Sequence, residues 1–338
     1  MIAVQIKDVG RIELLDVEIP KVTPRHVLLK VNAASICGTD IHELQGQIPV
    51  QFPRILGHDF AGTVQEIGPG VTEFKEGDRV VVKPSFPCYK CKACEAGLHE
   101  SCPNTKLIGL HVDGCFREYL LVPEANLIPM GDDVSFEAAS VLEPFTVGLN
   151  AFKRLNMNIG ETVTVLGLGP IGLGLTKMAA LSGAGQIHAL DIRDDALQLA
   201  SEFGATETIN LATEAGKKQF ENLSARGSDV VIETAGTPAT VKMILDLVKW
   251  GSKVVNIGIV KGIGAIPVEP IVMKALTIIG VGGNGGKGKY ETALGLVSRG
   301  LIDPAKLVTH RFLFKDAIEA FKTAQSKEKG TIKVVIGA

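Results

Sequence analysis

The sequence has little net charge and few aromatic residues. It carries 35 lysine and arginine residues against 37 aspartate and glutamate residues, which gives a net charge of −2 at pH 7. This balance provides no basic surface for nucleic acid or for an anionic membrane. Trp250 is the only tryptophan, and aromatic residues make up 5% of the chain. We therefore expect neither nucleic acid nor a membrane among the partners.

We expect neither a targeting segment nor a membrane-spanning segment. Lys7, Asp8 and Arg11 interrupt the N-terminal stretch, which is not the pattern of a secretory signal peptide. The longest uncharged run, residues 162–176, is too short to cross a bilayer and is rich in glycine. We therefore expect a cytoplasmic protein.

Apolar residues and glycine are abundant. The chain has 338 residues, which suggests about two domains of roughly 150 residues each. Hydrophobic residues make up 46% and charged residues 21%, as in ordinary globular proteins. The 38 glycines favour an α/β enzyme with many tight turns.

The character of the sequence changes near residue 160. Before residue 145, short runs of β-branched residues separated by glycine predict a β-rich domain. After residue 160, short apolar strands alternate with helical patterns. This alternation predicts a doubly wound parallel sheet with helices on both faces, as in the Rossmann fold. The strand candidates there are TVTVLGLG, QIHALD, ETIN, DVVIETAG, KVVNIG and TIIGVGG.

These patterns predict an α/β protein with two domains. Residues 1–148 form a β-rich domain, and residues 149–287 form the domain with the parallel sheet. The tail, 288–338, contains helical segments and a strand-like TIKVVIG, and we expect it to complete the first domain.

A glycine-rich turn follows the first strand of the predicted parallel sheet. Its GxGxxG pattern comprises Gly167, Leu168, Gly169, Pro170, Ile171 and Gly172. Strand, turn and helix occur in the order that a dinucleotide site requires. The first two glycines allow close approach of a pyrophosphate, and the third lets the helix pack on the strand. A turn that merely packs a helix is the alternative interpretation.

The residues after the next strand bear on the choice of cofactor. Asp191 follows Gly172 by nineteen residues, which is the usual place for a carboxylate that binds both ribose hydroxyls. Such a carboxylate would repel a 2′-phosphate and favours NAD over NADP. Arg193 weakens this preference, because an arginine can accommodate the phosphate.

Four of the six cysteines lie close together, in the pattern Cys88-x2-Cys91-x2-Cys94-x7-Cys102. Four thiolates in a short segment can surround one zinc ion tetrahedrally and leave no open position. We therefore predict a structural zinc site in a lobe formed by residues 88–102. Disulfides are the alternative, although they are uncommon in a cytoplasmic protein.

A second set of potential metal ligands is scattered along the chain. It comprises Cys37, His58, Asp59 and Glu143. Spacing alone does not bring these residues together. Taken singly, the histidine could be structural, the cysteine could belong to the core, and Glu143 could cap the helix that follows.

The sequence resembles the zinc-containing medium-chain alcohol dehydrogenases, and most of all their polyol branch, which includes sorbitol, butanediol and threonine dehydrogenases. The resemblance covers essentially the whole chain. It rests on the four-cysteine lobe, the dinucleotide turn, and the segments CGTDIH at 37–42, GHDFAG at 57–62 with Gly68 beyond, and LEP at 142–144. It implies a GroES-like catalytic domain beside the Rossmann domain.

The resemblance also implies a catalytic zinc between the two domains. Cys37 and His58 match two of the family's ligands. Asp59 stands where the family usually has glutamate, and Glu143 stands where a further protein ligand is expected. Either carboxylate could complete the site, or the two could exchange, because substrate must occupy the last position.

The same resemblance assigns a reaction and a proton path. Hydride passes from a secondary alcohol, of the polyol or sugar-acid type, to NAD, and the product is the ketone. Thr39 takes the proton from the alcohol, and His42 passes it to solvent, for which its ordinary pKa near 6.5 is suitable. A homotetramer is expected, with a homodimer as the alternative.

Two other functions are consistent with these motifs. L-Threonine 3-dehydrogenases carry out the same chemistry on an amino acid, but they often have aspartate where this chain has Glu143. A zinc-stabilised nucleotide-binding protein without catalysis is a more remote alternative. Such a protein would not need Thr39 and His42 at the spacing that a proton relay requires.

Overall fold

The computed structural model describes residues 1–259, 267–282, 288–326 and 330–337. The chain divides into two compact units, Met1–Glu143 with Gly286–Ala338, and Pro144–Gly285. The boundaries predicted from the sequence, 148/149 and 287/288, fall five and two residues after these divisions. Within the described ranges, no helix has both the length and the apolar character needed to span a bilayer.

The first unit begins with a segment that is mostly strand. Its strands are β1 (Ile2–Asp8), β2 (Arg11–Asp16), β3 (His26–Ser35), β4 (Arg54–Ile55), β5 (Asp59–Ile67), β6 (Arg79–Val82), β7 (Ser85–Phe86), β8 (Lys106–Leu107), β9 (Tyr119–Pro123) and β10 (Leu127–Pro129). The helices between and after them are short, namely α1 (Gly38–Leu44), α2 (Lys92–Glu95) and α3 (Phe136–Ser140).

The second unit alternates strands with helices. Helix α4 (Glu143–Leu155) crosses the division between the units. The strands that follow are β11 (Thr162–Leu166), β12 (Gln186–Asp191), β13 (Glu207–Asn210), β14 (Ser228–Glu233), β15 (Val248–Asn256) and β16 (Thr277–Gly280). The helices are α5 (Pro170–Leu181), α6 (Asp194–Glu202), α7 (Glu214–Arg226), α8 (Pro238–Leu247) and α9 (Val268–Met273).

The C-terminal segment returns to the first unit. It contains α10 (Lys289–Ser298), β17 (Val308–Leu313), α11 (Ala317–Ser326) and β18 (Lys333–Gly337). Strand β18 pairs antiparallel with β3 and parallel with β17, so it completes the main sheet of this unit. That sheet has the order β10-β6-β5-β3-β18-β17, with β9 also pairing with β3. Its core includes Leu29, Phe60, Phe116, Phe321 and Ile336.

The described part of the second unit contains one parallel sheet of the order β13-β12-β11-β14-β15-β16. Each of the strand candidates predicted after residue 160 forms one of these strands, and the doubly wound fold class is confirmed. The order reverses direction between β11 and β14. In open sheets of this type, ligands bind at the carboxyl ends of the strands where the order reverses. The glycine-rich turn lies at that position, directly after β11.

Candidate metal and cofactor sites

Cys37 lies at the N-terminal end of α1, where its backbone is fixed by a local hydrogen bond. Its extended backbone ends the preceding segment, and its N–H donates to Asp40 Oδ2 at 2.7 Å. The Cys37 Sγ atom lies 3.7 Å from Thr39 Oγ1. Because Asp40 is fully buried, this helix start is not a surface turn, and it holds the Cys37 thiol in a fixed position.

His58 is placed by the residue before it and by the same aspartate. Gly57 has φ +96°, and a Cβ there would lie 2.7 Å from Cys115 Sγ, so only glycine fits. The His58 Nδ1 atom lies 3.5 Å from Asp40 Oδ1. Burial alone would lower the pKa of His58, but the charges of Asp40 and Asp59 outweigh it and raise the pKa well above its ordinary value. These surroundings favour positive charge at this point.

Asp59 is the first residue of β5 and forms a buried ion pair. Its Oδ2 atom accepts a hydrogen bond from Lys333 Nζ at 3.2 Å. Lys333 also donates to Ser35 Oγ at 3.0 Å and to the Ile36 carbonyl at 3.3 Å. Burial opposes the charge of this lysine, yet Asp59 outweighs that effect and raises the pKa of Lys333 above its ordinary value. The other oxygen, Asp59 Oδ1, is buried without a hydrogen-bond partner.

One potential ligand atom from each of Cys37, His58 and Asp59 lies within 4.8 Å of the others. A thiol, an imidazole and a carboxylate are the donor types that zinc prefers. A buried carboxylate oxygen without a partner is costly unless a cation or a donor satisfies it. The cluster therefore fits a zinc ion.

Glu143 lies outside this group of three. It is the first residue of α4, and its charge, like that of Asp59, raises the pKa of both Lys333 and Tyr290. For Tyr290, burial is the larger cause, followed by Asp59 and then Glu143. The Glu143 carboxylate thus affects the same two residues as Asp59 does, but it is not one of the three clustered side chains.

Thr39 and His42 lie on α1, three residues apart, and so on one face of the helix. The Thr39 hydroxyl borders Cys37 Sγ, as given above. His42 is exposed, and its Nδ1 atom lies 2.8 Å from Gln47 Oε1. One residue therefore borders the cluster and the other reaches solvent.

The four cysteines of the predicted lobe converge. Their sulfur atoms all lie within 4.8 Å of one another, and Cys102 Sγ is 3.6 Å from Cys88 Sγ and 3.8 Å from Cys91 Sγ. All six cysteines lie in the described residues, and none forms a disulfide. A hydrogen bond from the Lys90 backbone is the largest of several effects that lower the pKa of Cys88 to about 6, whereas burial is the largest of those that raise the pKa of Cys94 to about 12.

The glycine-rich turn has the geometry that its sequence predicts. Gly167 has φ +89°, and a Cβ at Gly172 would collide with the Gly167 carbonyl oxygen. A Cβ at Gly169 would meet no atom within 4 Å, so a ligand can approach the backbone there. Gly169 caps α5, whose first helical residue is Pro170, and Ile171 lies in the first turn. The free N–H groups of this helix start can bind phosphate.

Asp191 is anchored to the turn from the end of β12. Its Oδ2 atom accepts the Leu168 N–H at 2.6 Å, and its Oδ1 atom accepts the Ile192 and Arg193 N–H groups at 2.7 and 3.0 Å. Each carboxylate oxygen has two lone pairs, so Oδ2 keeps one lone pair that can accept from a ribose hydroxyl. The Arg193 Nε atom lies 3.7 Å from Asp191 Oδ1, so the carboxylate and the cation that bear on cofactor choice are neighbours.

Sequence reasoning gave no role to three residues around the cluster of Cys37, His58 and Asp59. Asp40 holds Cys37 and contacts His58. Lys333 pairs with Asp59. The signal in the sequence that could have identified Lys333 is that it is the only charged residue of the apolar segment TIKVVIG. Glu43 is buried behind Asp40; burial first, and then the charge of Asp40, raise its pKa to about 8, so it is protonated at neutral pH.

Removing the charge of Lys333 is expected to destabilise the protein strongly. Taking one partner from a buried ion pair leaves an uncompensated charge and typically costs about 3–5 kcal/mol. Lys333→Ala should therefore lower the free energy of unfolding by an amount in this range, measured by denaturant titration of zinc-free protein, in which no metal ion neutralises Asp59.

A matched control for Lys333→Ala is Lys322→Ala, which removes an exposed ion pair with Glu319. That change should alter stability by less than about 1 kcal/mol. The double variant Asp59→Asn with Lys333→Met should recover much of the loss. Equal stability of Lys333→Ala and Lys322→Ala would contradict a buried pair.

Comparison with known proteins agrees with this geometry. Residues 23–132 match the family described as Alcohol dehydrogenase GroES-like domain, and residues 170–299 match Zinc-binding dehydrogenase. The chain is 32% identical to an L-threonine 3-dehydrogenase of Chromobacterium violaceum over 97% of both chains. It is 31% identical to a sorbitol dehydrogenase of Bacillus subtilis, over 99% of this chain and 97% of that protein.

A solved structure is similar over nearly its whole length. It is a putative zinc-binding dehydrogenase from Sinorhizobium meliloti bound to NADP, with a TM-score of 0.92, 32% identity, and coverage of 100% of this chain and 99% of that one. The chain thus belongs to the zinc-containing medium-chain alcohol dehydrogenase family, in its polyol branch. It is an oxidoreductase that transfers hydride between an alcohol and a nicotinamide cofactor.

Proposed function

We propose that the protein oxidises a secondary alcohol of the polyol or sugar-acid type to the ketone and reduces NAD. Family membership supports the type of reaction. The convergence of Cys37, His58 and Asp59 is the observation that supports the reaction centre. When bound, zinc would act as a Lewis acid that lowers the pKa of the substrate hydroxyl.

Cys37, His58 and one carboxylate hold the catalytic zinc in this proposal. Asp59 is the better resting ligand, because it belongs to the cluster and has an unpaired oxygen while Lys333 holds the other. Glu143 lies outside the group and would enter by exchange. An open position must remain for the alcohol, as in other catalytic zinc sites.

The proton leaves by way of α1. The Thr39 hydroxyl, beside Cys37 Sγ, would accept the proton of the alcohol. His42 lies one turn further along the helix and is exposed, so it would pass the proton to water. The hydrogen bond with Gln47 orients the imidazole ring for this transfer.

The remaining cysteines would hold a second, structural zinc. Cys88, Cys91, Cys94 and Cys102 supply four thiolates and leave no open position. The catalytic domain, 1–148 with 288–338, would carry both zinc sites. The segment 149–287 would bind the cofactor through Gly167, Gly169, Ile171 and Gly172.

NAD is the proposed cofactor because Asp191 lies at the turn with a carboxylate that opposes a 2′-phosphate. Asp191→Ala should raise KM for NAD at least tenfold and reduce the preference over NADP. Arg193→Ala is the matched control, since it removes the neighbouring cation and keeps the carboxylate. Initial rates with both cofactors measure the effect. An unchanged NAD/NADP ratio in Asp191→Ala would contradict the assignment.

The substrate is tested with a panel of polyols, sugar acids, simple secondary alcohols and L-threonine. Formation of reduced nicotinamide by zinc-loaded protein is measured for each compound, with NAD and with NADP. The highest kcat/KM is expected for a polyol or a sugar acid. A higher value for L-threonine than for every polyol would replace the proposal with the threonine dehydrogenase alternative. Absence of turnover with both zinc ions bound would contradict the substrate class.

The second unit has an exposed apolar patch that supports a homo-oligomer. Strand β16 is the edge of its sheet, and α9 has no buried residue. Around them Trp250, Val268, Val272 and Met273 are each more than 60% exposed, and Ile278 is 42% exposed. An exposed edge strand with apolar neighbours is suited to pairing with another chain. We propose that two copies meet at this patch in a dimer, which could pair again into a tetramer.

A charge on the edge strand is expected to separate the copies. Ile278→Lys should lower the mass in solution to that of a smaller assembly, because like charges would meet across a twofold axis. Ile159→Lys is the control, since Ile159 is 90% exposed but lies outside the patch. Light scattering during gel filtration measures the mass. An unchanged mass of Ile278→Lys would rule out this interface.

A further inference from the structure

The catalytic unit contains a cavity to which none of the predicted zinc ligands contributes. Its volume is about 450 Å³, within the range of small-molecule sites. The apolar part of its wall comes from Phe86 on β7, from Ile108, and from Leu120 and Leu121 on β9. The paired strands β7 and β8, the residue that follows β8, and strand β9 thus contribute to one lining.

A guanidinium group is set into this apolar wall. Within the described ranges, the Arg117 side chain makes no hydrogen bond and no ion pair, and its Nε atom is buried without a partner. The charge of Asp113 favours that of Arg117 but does not outweigh burial, which lowers the pKa of Arg117. Asp113 Oδ1 is bonded to Arg54 NH1 at 3.2 Å and to the Ile55 N–H at 3.3 Å. Arg117 is therefore a partly buried cation in need of an anion.

The other ionisable groups around the cavity leave it cationic. Lys106 is exposed at the rim, and His26 holds the Pro24 carbonyl through Nδ1 at 2.9 Å. Asp113 is the one acidic lining residue, and Arg54 already neutralises it. An uncompensated guanidinium in apolar surroundings is costly for the folded state, unless a ligand supplies the counter-charge.

We propose that this cavity binds a small amphipathic carboxylate. The carboxylate pairs with the Arg117 guanidinium, which can hold both oxygens at once. The apolar body of the ligand lies against Phe86, Ile108, Leu120 and Leu121. Lys106 attracts the anion at the rim. The site is separate from the proposed reaction and takes a different ligand.

Titration calorimetry with octanoate tests the proposal. The full-length, zinc-loaded protein is titrated with octanoate, with acetate, which lacks the apolar body, and with octanamide, which lacks the charge. Because a carboxylate can also bind the catalytic zinc, each titration is repeated in Cys37→Ser. Octanoate is expected to bind Cys37→Ser as well as the unaltered protein, and at least tenfold more tightly than either partial analogue.

The decisive variant is Arg117→Gln, with Arg299→Gln as the matched control because Arg299 lies on the surface outside the cavity. Both are made in the Cys37→Ser protein. Arg117→Gln is expected to weaken octanoate binding at least tenfold, and Arg299→Gln to leave it unchanged. Equal weakening in the two variants, undiminished binding in Arg117→Gln, or no octanoate binding at millimolar concentration would each overturn the proposal.

Thermal stability provides a second measurement that does not depend on detecting heat. Without ligand, Arg117→Leu should be at least as stable as the unaltered protein, because it removes an uncompensated cation from an apolar wall. Octanoate should raise the Tm of Cys37→Ser but not that of Cys37→Ser combined with Arg117→Leu. A marked loss of stability in Arg117→Leu alone would show that Arg117 is a structural residue.

Discussion

Cys37→Ser is expected to lower kcat/KM by about a thousandfold or more, which corresponds to roughly 4 kcal/mol of transition-state stabilisation. A serine hydroxyl is a poor zinc ligand compared with a thiolate, and the alcohol would lose the Lewis acid that lowers its pKa. The fold should survive, because the backbone bond from residue 37 to Asp40 does not involve the sulfur. Initial rates and the far-ultraviolet circular dichroism spectrum measure the two effects.

Zinc content separates this result from a general loss of structure. Cys37→Ser should hold about one zinc per chain in place of about two. Cys115→Ala is the matched control, since Cys115 is a buried thiol that belongs to neither cluster of ligands. It should keep both zinc ions. Activity of Cys37→Ser within tenfold of the unaltered protein would exclude this thiol from the reaction centre.

Cys102→Ser should lower stability more than it lowers activity. Binding of a structural zinc is coupled to folding, so loss of the ion removes the free energy that orders the lobe. We expect loss of about one zinc per chain and a fall in Tm of about 10 °C or more. At low temperature kcat should stay within about threefold, because the proposed ligands Cys37 and His58 are untouched.

His99→Ala is the control for the lobe. His99 lies between the cysteines in sequence, and its ring stacks edge-on against Tyr89 with centroids 5.2 Å apart. With four thiolates present, it should not be a ligand, and the variant should keep both zinc ions. Loss of zinc from His99→Ala, or retention of both ions by Cys102→Ser, would contradict an all-cysteine site.

Features encoded by neighbouring residues were predictable from the sequence. The parallel strands after residue 160 follow from short apolar runs between helical patterns. The positive φ of Gly167 and the absence of room at Gly172 follow from one hexapeptide in its strand–turn–helix context. The four-cysteine lobe follows from spacing within fifteen residues. In each case, the residues that interact are close in sequence.

The surroundings of the cluster of Cys37, His58 and Asp59 were not predictable in the same way. Lys333 and Asp59 are 274 positions apart, and nothing in the local sequence of either residue identifies its partner. Asp40 belongs to a quoted motif and its bond to Cys37 is local, yet its contact with His58 depends on the fold that brings the start of β5 beside α1. Even the grouping of Cys37 with His58 rested on family resemblance rather than on spacing.

Surface features were even less predictable from the sequence. Arg117 is one of many basic residues, and only the apolar wall around it makes its lack of a partner notable. Trp250 could equally have been a core residue. A sequence pattern shows which side chains are apolar or charged, but not which faces the folded chain leaves uncovered.

The position of β18 determines the order in which the two units can fold during synthesis. This last strand lies between β3 and β17, and it brings Lys333 to Asp59. Pro144–Gly285 leaves the ribosome before that strand exists, so the cofactor unit can fold while its neighbour still lacks the middle of a sheet. Until β18 has been synthesised, Asp59 lacks its Lys333 partner and β3 has an open edge. A nascent chain stalled before residue 333 should therefore be protease-resistant in the cofactor unit and sensitive elsewhere.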